Sequence, residues 1–291
     1  MRKKLNLIGK NAEMALIKSV SSKDKNKVLL KFSKLLKKNL DKIILENNRD
    51  IRFAKIKGLK NNLIKRLELD KTKIKGIISS IESIVKLKDP TNQVLKKWKC
   101  SNGLNFKKLT MPIGVIGVIY ESRPNVTADV SCLCFKSGNS VILKGGSEAF
   151  FSNKIISNLF RKALGANKIN KNYVQFIDLR DRRVVDFMLS KMSNYIDVII
   201  PRGGKGLVKK VRQMSKIPTI GHLEGVCHTY VDKYANIDMS KKVILNAKMR
   251  NTSICGATET LLIHKNIIKS SINEILKLLE KNKCKIYADN Y

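Results

Sequence analysis

The sequence predicts an α/β protein in which a parallel β-sheet is covered by helices. The first ninety residues have the three-to-four-residue hydrophobic spacing of amphipathic helices, whereas the chain after Pro90 alternates short apolar runs with helical stretches. The apolar runs are rich in valine and isoleucine and show little polar alternation, which is typical of strands buried on both faces. A parallel sheet buries its strands in this way because helices cover both faces.

Two helices stand out in the first ninety residues. One begins near Ser22 and Asp24, and its apolar positions continue to Ile44. The other follows Asp70, whose side chain can accept the free N–H groups of a first helical turn, and it ends at Asp89-Pro90. We interpret both apolar stripes as core-packing faces and assign them no chemistry.

Five apolar runs after Pro90 are the predicted strands. They cover residues 113–120, 140–143, 174–177, 196–200 and 258–263. The predicted helices between and beside them cover residues 126–136, 147–164, 181–191, 205–214 and 237–248. Residues 98–111 contain the turn sequence Asn102-Gly103, which predicts a hairpin arm.

Composition narrows the class of protein. The chain has 291 residues, enough for two domains at roughly 150 residues each. Its 59 Lys and Arg against 23 Asp and Glu give a formal net charge of +36. The cations are spread along the chain without an aromatic-rich cluster, so specific nucleic-acid binding is not expected, although a basic nucleic-acid-binding protein is the alternative to an enzyme. Their field should attract anionic substrates and cofactors.

Neither a membrane segment nor a metal site is expected. No apolar run reaches the roughly 20 residues that span a bilayer, and the N-terminus lacks the apolar region of a signal peptide. The six cysteines form no C-x-x-C pair, so they indicate neither a zinc site nor a disulfide framework. These features favour a reducing cytoplasm.

A polar segment follows the predicted strand 113–120 and leads into a helix. It contains Ser122, Arg123 and Asn125, with Pro124 between the last two. Open α/β sheets bind ligands at such strand exits. The planar guanidinium of Arg123 can donate two parallel hydrogen bonds to a carboxylate or phosphate, which makes it a candidate anion clamp. The alternative is that Arg123 pairs locally with Glu121 and that the segment only begins a helix.

Two further strand exits carry glycines and basic residues. They are Lys144-Gly145-Gly146-Ser147 and Arg202-Gly203-Gly204-Lys205. Glycine lets the backbone approach a phosphate, and a helix N-terminus offers free N–H groups to it. Neither segment matches the dinucleotide or P-loop fingerprint, and each alone could be an ordinary strand-to-helix turn. Together they favour a nucleotide phosphate site.

Cys255 lies in a polar, glycine-flanked loop between a predicted helix and a predicted strand. A loop cysteine beside basic residues can act as a thiolate nucleophile. The alternative is a small hydrophobic side chain that fills a turn, and composition leaves both interpretations open. Cys132 and Cys134, by contrast, fall in an apolar helix and are expected to be inert.

Four stretches resemble gamma-glutamyl phosphate reductase, a branch of the aldehyde dehydrogenase superfamily also called glutamate-5-semialdehyde dehydrogenase. They are residues 111–153 with YESRPN, 197–208 with IPRGG, 225–232 with CHTYVD and 246–264 with ICGATETLL. The stretches follow the family's order and spacing, and the resemblance covers essentially all of the chain. It implies an NADP-binding domain over residues 1–97 and 112–235, part of an oligomerisation arm over 98–111, and a partial α/β catalytic domain over 236–291. Since family members continue further, the resemblance implies that this catalytic domain is incomplete.

The resemblance implies reduction of L-glutamyl 5-phosphate by NADPH to L-glutamate 5-semialdehyde and phosphate, the second step of proline synthesis from glutamate. It assigns Cys255 as the nucleophile that forms a thioester, which hydride then reduces. The groups that bind the oxyanion and the substrate are expected to be backbone N–H groups near Cys255 and the side chains of Ser122, Arg123 and Asn125. His222 and His228 are further candidates, with a hydrogen-bonded core histidine as the alternative for either.

For the cofactor, the resemblance implies that Lys144 contacts the adenosine ribose or its 2′-phosphate. Gly145, Gly203 and Gly204 are expected beside the phosphates, and Ser147 stands where NAD-preferring relatives carry a carboxylate. The missing carboxylate favours NADP(H), because an acid would repel a 2′-phosphate.

A homo-oligomer is expected for the full-length protein. Because the catalytic domain is implied to be incomplete, we expect little reductase activity from the 291-residue chain alone. The alternatives are another aldehyde dehydrogenase or acyl-phosphate reductase, and an inactive fragment. Thioester chemistry is common to both enzyme interpretations, so the identity of the acyl group is what would separate them.

Overall fold

A parallel β-sheet with helices on both faces organises the larger part of the chain in the computed structural model. The structure describes residues 1–221, 225–252 and 254–288. Their contacts divide into a first unit, Met1–Gly221, and a second unit, His222–Tyr291. The predicted α/β fold class is confirmed.

Five helices precede the sheet. They are α1 (Arg2–Leu16), α2 (Ser22–Lys38), α3 (Leu40–Ile56), α4 (Asn61–Leu67) and α5 (Lys71–Lys86). The side chain of Ser21 accepts the N–H of Asp24 at the start of α2, and the side chain of Asp70 accepts the N–H of Lys73 at the start of α5. Both helices therefore begin within a residue or two of their predicted positions, because a local cap decides where each starts.

The predicted hairpin is present and is longer than expected. Strand β1 (Val94–Lys99) pairs antiparallel with β2 (Asn105–Leu109), and all of their residues are exposed. The stacked rings of Trp98 and Phe106 lie 5.3 Å apart. The hairpin begins at Val94, because the backbone pairs Val94 with Leu109 across an irregular register. Val94 was predicted to lie in the NADP-binding domain.

The remaining elements of the first unit alternate strand and helix. They are β3 (Val115–Tyr120), α6 (Pro124–Lys136), β4 (Ser140–Gly145), α7 (Phe150–Ala166), β5 (Val174–Phe176), α8 (Arg183–Lys191), β6 (Val198–Arg202) and α9 (Lys205–Met214). The four strands predicted here are all present, with ends within about two residues. The helix predicted from Ser147 begins instead as a short 3-10 helix over Ser147–Ala149, and α7 follows it.

Strand β3 is central, since the parallel sheet has the order β5-β4-β3-β6. The chain steps outward from β3 to β4 and β5 and then returns across the sheet to β6. Right-handed crossovers consequently place α6 and α7 on one face and α8 on the other. The core side chains agree, since Val118 packs with α6 and α7 whereas its neighbour Ile119 packs with α8 and α9. The direction of strand order thus reverses between β3 and β6.

The second unit is a smaller α/β arrangement. Its elements are β7 (Cys227–Val231), α10 (Ile237–Met249), β8 (Thr258–Ile263) and α11 (Ile268–Lys281). β7 and β8 pair in parallel, and Val231, Ile244, Ile275 and Leu279 form the core beneath them. Residues 225–235, predicted for the NADP-binding domain, fall in this unit because β7 pairs with β8.

A buried ion pair joins α2 to the segment after α5. The Nζ atom of Lys25 lies 2.9 Å from Oδ2 of Asp89, and the two side chains are 3% and 11% exposed. Burial alone would raise the pKa of Asp89, but hydrogen bonds from Thr91 and Lys25 outweigh it and lower that pKa below its ordinary value of 3.8. Asp89 therefore stabilises the fold above its unfolded pKa, and this stabilisation is lost as the pH falls through the folded pKa.

We expect Lys25→Met to lower the free energy of unfolding at pH 7 by about 3 kcal/mol, because the substitution leaves Asp89 unpaired in a largely buried site. Urea unfolding followed by circular dichroism measures this loss, which should shrink as the pH falls through the folded pKa of Asp89. The matched control is Lys27→Met, which removes the exposed pair with Asp24 and should cost less than about 1 kcal/mol. Equal losses in the two variants would contradict the prediction.

Candidate active site

The chain turns sharply at Ser122, directly after β3. Ser122 is buried and has a φ of +37°, a strained conformation for a residue with a side chain. Its backbone N–H and its Oγ donate to Oε1 of Glu148 at 2.7 and 2.9 Å. This pair of bonds ties the exit of β3 to the turn after β4. The donors of Ser122, predicted to face an oxyanion, are therefore engaged by Glu148 in this structure.

Glu121 makes a similar link to the exit of β6. Its Oε2 accepts the N–H of Gly204 at 2.9 Å, where α9 begins and the helix dipole favours negative charge. A Cβ on Gly203 would lie 2.5 Å from the same carboxylate oxygen, so glycine at 203 lets Glu121 reach the helix. Glu121 is hydrogen-bonded to this turn and not to Arg123, which argues against the local pair considered from the sequence.

Arg123 is half-buried at the start of α6. Burial and the like charges of Arg202 and Arg66 lower its pKa. Arg202 ends β6 opposite Tyr120, the last residue of β3, so its backbone lies at the same edge of the sheet. Within the described part of the chain, none of these three guanidinium groups forms an ion pair or hydrogen bond. Arg66 lies on α4, far from Arg123 in sequence, and no local pattern could have identified it.

Asn125 lies in the first turn of α6. Its Nδ2 donates to Oδ2 of Asp129, one helical turn on, at 3.2 Å. Burial raises the pKa of Asp129, although hydrogen bonds from Asn125 and Ser80 act in the opposite direction. Asn125 thus lies at the same strand exit as Arg123, with its amide bound to Asp129, and its role toward an oxyanion stays a prediction.

Lys144 and Gly145 end β4. The Nζ atom of Lys144 donates to the carbonyl oxygen of Gly145 at 2.7 Å, and burial lowers the pKa of this lysine, opposed by the charge of Glu148. A Cβ on Gly145 would overlap Nδ2 of Asn153 and approach the Tyr120 ring, so internal packing alone requires glycine here. Approach of Gly145 to a cofactor phosphate stays a prediction, as does the role of Ser147, which opens the 3-10 helix.

Cys255 lies in the loop between α10 and β8, and its side chain is exposed. The Sγ of Cys227 donates to the carbonyl oxygen of Cys255 at 3.3 Å, which holds the loop against the start of β7. A Cβ on the neighbouring Gly256 would meet no atom within 4 Å. An exposed thiol beside open space does not fill a packed turn, and the role of Cys255 as a nucleophile stays a prediction.

The two candidate histidines differ in what the structure records. His228 is exposed on β7, and its Nδ1 lies 2.9 Å from the carbonyl oxygen of Val226. It is therefore not a core histidine, and that alternative is wrong for this residue. His222 lies outside the described residues.

The predicted site residues are divided between the two units. The first unit holds the three strand exits with Arg123, Lys144 and the glycines, and the second holds Cys255 and His228. In the part of the chain that is described, no group of three or more His, Cys, Asp or Glu side chains could hold a metal ion. No helix among these residues is both long and apolar enough to cross a bilayer.

Comparison with known proteins defines the class. Residues 9–289 match the aldehyde dehydrogenase family, and the chain belongs to this family. A gamma-glutamyl phosphate reductase of Clostridium tetani is 42% identical over 275 residues, which cover 94% of this chain and 64% of that protein. Another, of Bartonella bacilliformis, is 40% identical and covers 98% of this chain and 69% of its own length.

Solved structures agree with these relatives. The crystal structure of gamma-glutamyl phosphate reductase from Thermotoga maritima matches with a TM-score of 0.91 and 36% identity, covering 96% of this chain and 68% of that one. Within its family, the chain therefore belongs to the gamma-glutamyl phosphate reductase branch, and the resemblance found in the sequence is confirmed. The chain spans about two thirds of the length of the proteins it matches.

We expect iodoacetamide to alkylate Cys255 faster than Cys132 and Cys134 by on the order of 100-fold at pH 7.5. Burial raises the pKa of Cys132 well above its ordinary value and that of Cys134 to about 12, so both stay protonated and shielded in the folded chain. Peptide mass mapping of the native protein measures the rates, and the urea-unfolded chain is the control in which all six cysteines should react. Similar native rates at the three positions would refute the assignment.

Proposed function

We propose that this chain carries the cofactor-binding unit and the nucleophile of an enzyme that reduces L-glutamyl 5-phosphate to L-glutamate 5-semialdehyde and phosphate with NADPH. The observation that carries the proposal is the exposed thiol of Cys255, in the ICGATETLL loop of a chain belonging to the gamma-glutamyl phosphate reductase branch. A thiolate suits this chemistry because its acyl adduct accepts hydride more readily than an ester does.

The covalent step uses this chain's own sulfur. The Cys255 thiolate attacks the acyl carbon, the bond from that carbon to the phosphate oxygen breaks, and phosphate leaves with the electron pair. The oxyanion that forms in this step requires hydrogen-bond donors, which backbone N–H groups near Cys255 would supply. NADPH, when bound, supplies the hydride that reduces the thioester to the level of the aldehyde. Departure of the Cys255 thiolate then frees the product.

The first unit has the features of a dinucleotide site. Ligands of open α/β sheets bind beyond the carboxyl ends of the strands, at the point where strand order reverses, which here lies between β3 and β6. The N–H of Gly204 at that point already holds a carboxylate, that of Glu121. A group that can bind one anion can bind a phosphate oxygen once Glu121 turns away, so the residues present fit a nicotinamide dinucleotide.

NADP(H) is the form of the cofactor that we propose. Lys144 would reach the 2′-phosphate after giving up its bond to the Gly145 carbonyl oxygen. Ser147 offers no charge to repel that phosphate, and Glu148, the carboxylate whose charge reaches Lys144, is bound by Ser122. A free carboxylate at this position would repel the 2′-phosphate of NADP(H) and would therefore favour NAD.

We also infer a homo-oligomer and a cytoplasmic location for the full-length protein. The hairpin of β1 and β2 exposes every residue, including the stacked Trp98 and Phe106, and such an unprotected strand edge is suited to pairing with another chain. All six cysteines carry free thiols, which fits a reducing compartment. Arg123 is the group that we expect to hold a substrate anion, as developed below.

We expect Cys255→Ser to abolish acylation of the chain by L-glutamyl 5-phosphate, generated in place from glutamate, ATP and a glutamate kinase. Intact-mass spectrometry detects the acyl adduct without requiring complete turnover. The matched control is Cys227→Ser, which removes the neighbouring thiol and should keep the adduct. An adduct that survives in Cys255→Ser would sink the proposal, and faster acylation by acetyl phosphate than by glutamyl phosphate would favour another acyl-phosphate reductase.

Lys144→Met should weaken NADPH binding roughly tenfold, because one charge-assisted hydrogen bond to the 2′-phosphate is lost. NADH, which lacks that phosphate, should bind the variant and the parent chain equally. Fluorescence titration with each nucleotide gives the two dissociation constants. Lys86→Met, at the end of α5, removes the same charge elsewhere and should change neither constant. Parallel weakening of NADH and NADPH would exclude a 2′-phosphate contact for Lys144.

A further inference from the structure

Three arginines from three separate elements converge on the carboxyl edge of the sheet. Arg202 is placed there by the register of β6, which sets it opposite Tyr120, and Arg123 follows β3 at the same edge. The third, Arg66, is in the last turn of α4. Two of the three flank the point where strand order reverses, and Arg66 reaches them from outside the sheet.

The position of α4 is fixed by buried contacts. Ile64 and Leu67 pack with Ala149, in the turn that follows β4. The Nδ2 of the fully buried Asn47 donates to the carbonyl oxygen of Leu67 at 2.9 Å and to Oγ of Ser152 at 3.0 Å. This network joins the end of α4 to the start of α7. The helix therefore holds Arg66 beside the strand ends as part of the fold.

Among the described residues, no acidic side chain forms an ion pair with any of the three guanidinium groups. The acidic groups known at this edge are Glu121, which binds Gly204, and Glu148, which binds Ser122. Arg66 and Arg202 are close enough to Arg123 for their charges to lower its pKa, as the neighbouring charges of an unpartnered cluster do. Like charges held together by a fold are destabilising, and an anionic ligand would relieve their repulsion.

We propose that Arg66 and Arg202 act with Arg123 as a three-arginine site for a phosphoryl group. The guanidinium fork pairs with two oxygens at a time, and three forks match a phosphoryl group, which has three oxygens and carries more charge than a carboxylate. This inference rests on the proposed function, which supplies two sources of such a group, the acyl phosphate with its leaving phosphate and the cofactor. Arg66 thereby becomes a binding residue that the sequence alone did not identify, and Arg202, already part of a basic strand exit in the sequence, becomes its partner in the site.

The test is titration of the full chain with inorganic phosphate at constant ionic strength, followed by calorimetry. Arg66→Gln and Arg202→Gln should each weaken phosphate binding roughly tenfold, the loss expected for one charge-assisted contact. Arg212→Gln, in the last turn of α9 and thus at the opposite end from Arg202, removes the same charge and should change the constant less than twofold. Because Arg66 is exposed and its charge is repelled by the other two arginines, its replacement should not lower the melting temperature.

Two further measurements, NADPH binding and acylation of Cys255, distinguish the source of the phosphoryl group. If the site binds a cofactor phosphate, Arg66→Gln will weaken the binding of NADPH in parallel with the binding of inorganic phosphate. If it takes the substrate phosphate, NADPH binding will be unchanged and acylation of Cys255 by glutamyl phosphate will slow. Equal phosphate affinity in Arg66→Gln and Arg212→Gln, or no phosphate binding by the parent chain at millimolar concentration, would overturn the inference. Acylation of Cys255 in the parent chain is a separate readout, so failure of the proposed function is recognised independently.

Discussion

The parallel pairing of β3 with β4 on one side and β6 on the other is the constraint on which the rest of the first unit depends. It aligns the carboxyl ends of three strands, so that their exits meet at one edge of the sheet. The chain leaves β3 toward one face and reaches β6 from the other, so strand order reverses between them, the position where open α/β sheets bind ligands. Without this pairing, Arg123, Lys144 and Gly204 would be distant residues with no common site.

Carboxylates are scarce in this chain, and several of them hold backbone N–H groups near helix starts. Glu148 accepts the N–H of Ser122 before α6, and Glu121 accepts that of Gly204 before α9. Asp50, on α3, accepts the N–H groups of Phe151 and Ser152 in the first turn of α7. Each acid satisfies donors that a helix leaves free and meets the positive end of its dipole. In the part of the chain that the structure describes, Arg66, Arg123 and Arg202 have no acidic partner, which is the basis of the proposed phosphoryl site.

The chemistry is distributed between the two units in a way that suits their architectures. The cofactor features of the first unit lie at strand exits of a well-buried sheet, where the backbone is held firmly. The proposed nucleophile of the second unit, Cys255, lies on a loop, where its thiol is exposed and its backbone is anchored by the Cys227 contact. Reactive residues are commonly carried on loops that a rigid scaffold positions, because an exposed group can meet substrate without disturbing the core.

Local sequence determined the fold class, the hairpin, the strands β3, β4, β5, β6 and β8, and the caps at Ser21 and Asp70, because periodicity and capping act within a few residues. The family motifs predicted which strand exits and which cysteine form the site, and these assignments stay predictions. Only the tertiary structure decided that β7 joins the second unit, that Glu148 takes the donors of Ser122, that packing against Asn153 requires glycine at 145, and that Arg66 joins Arg123. These contacts link residues far apart along the chain, and such pairings leave no mark in the local pattern from which they could be predicted.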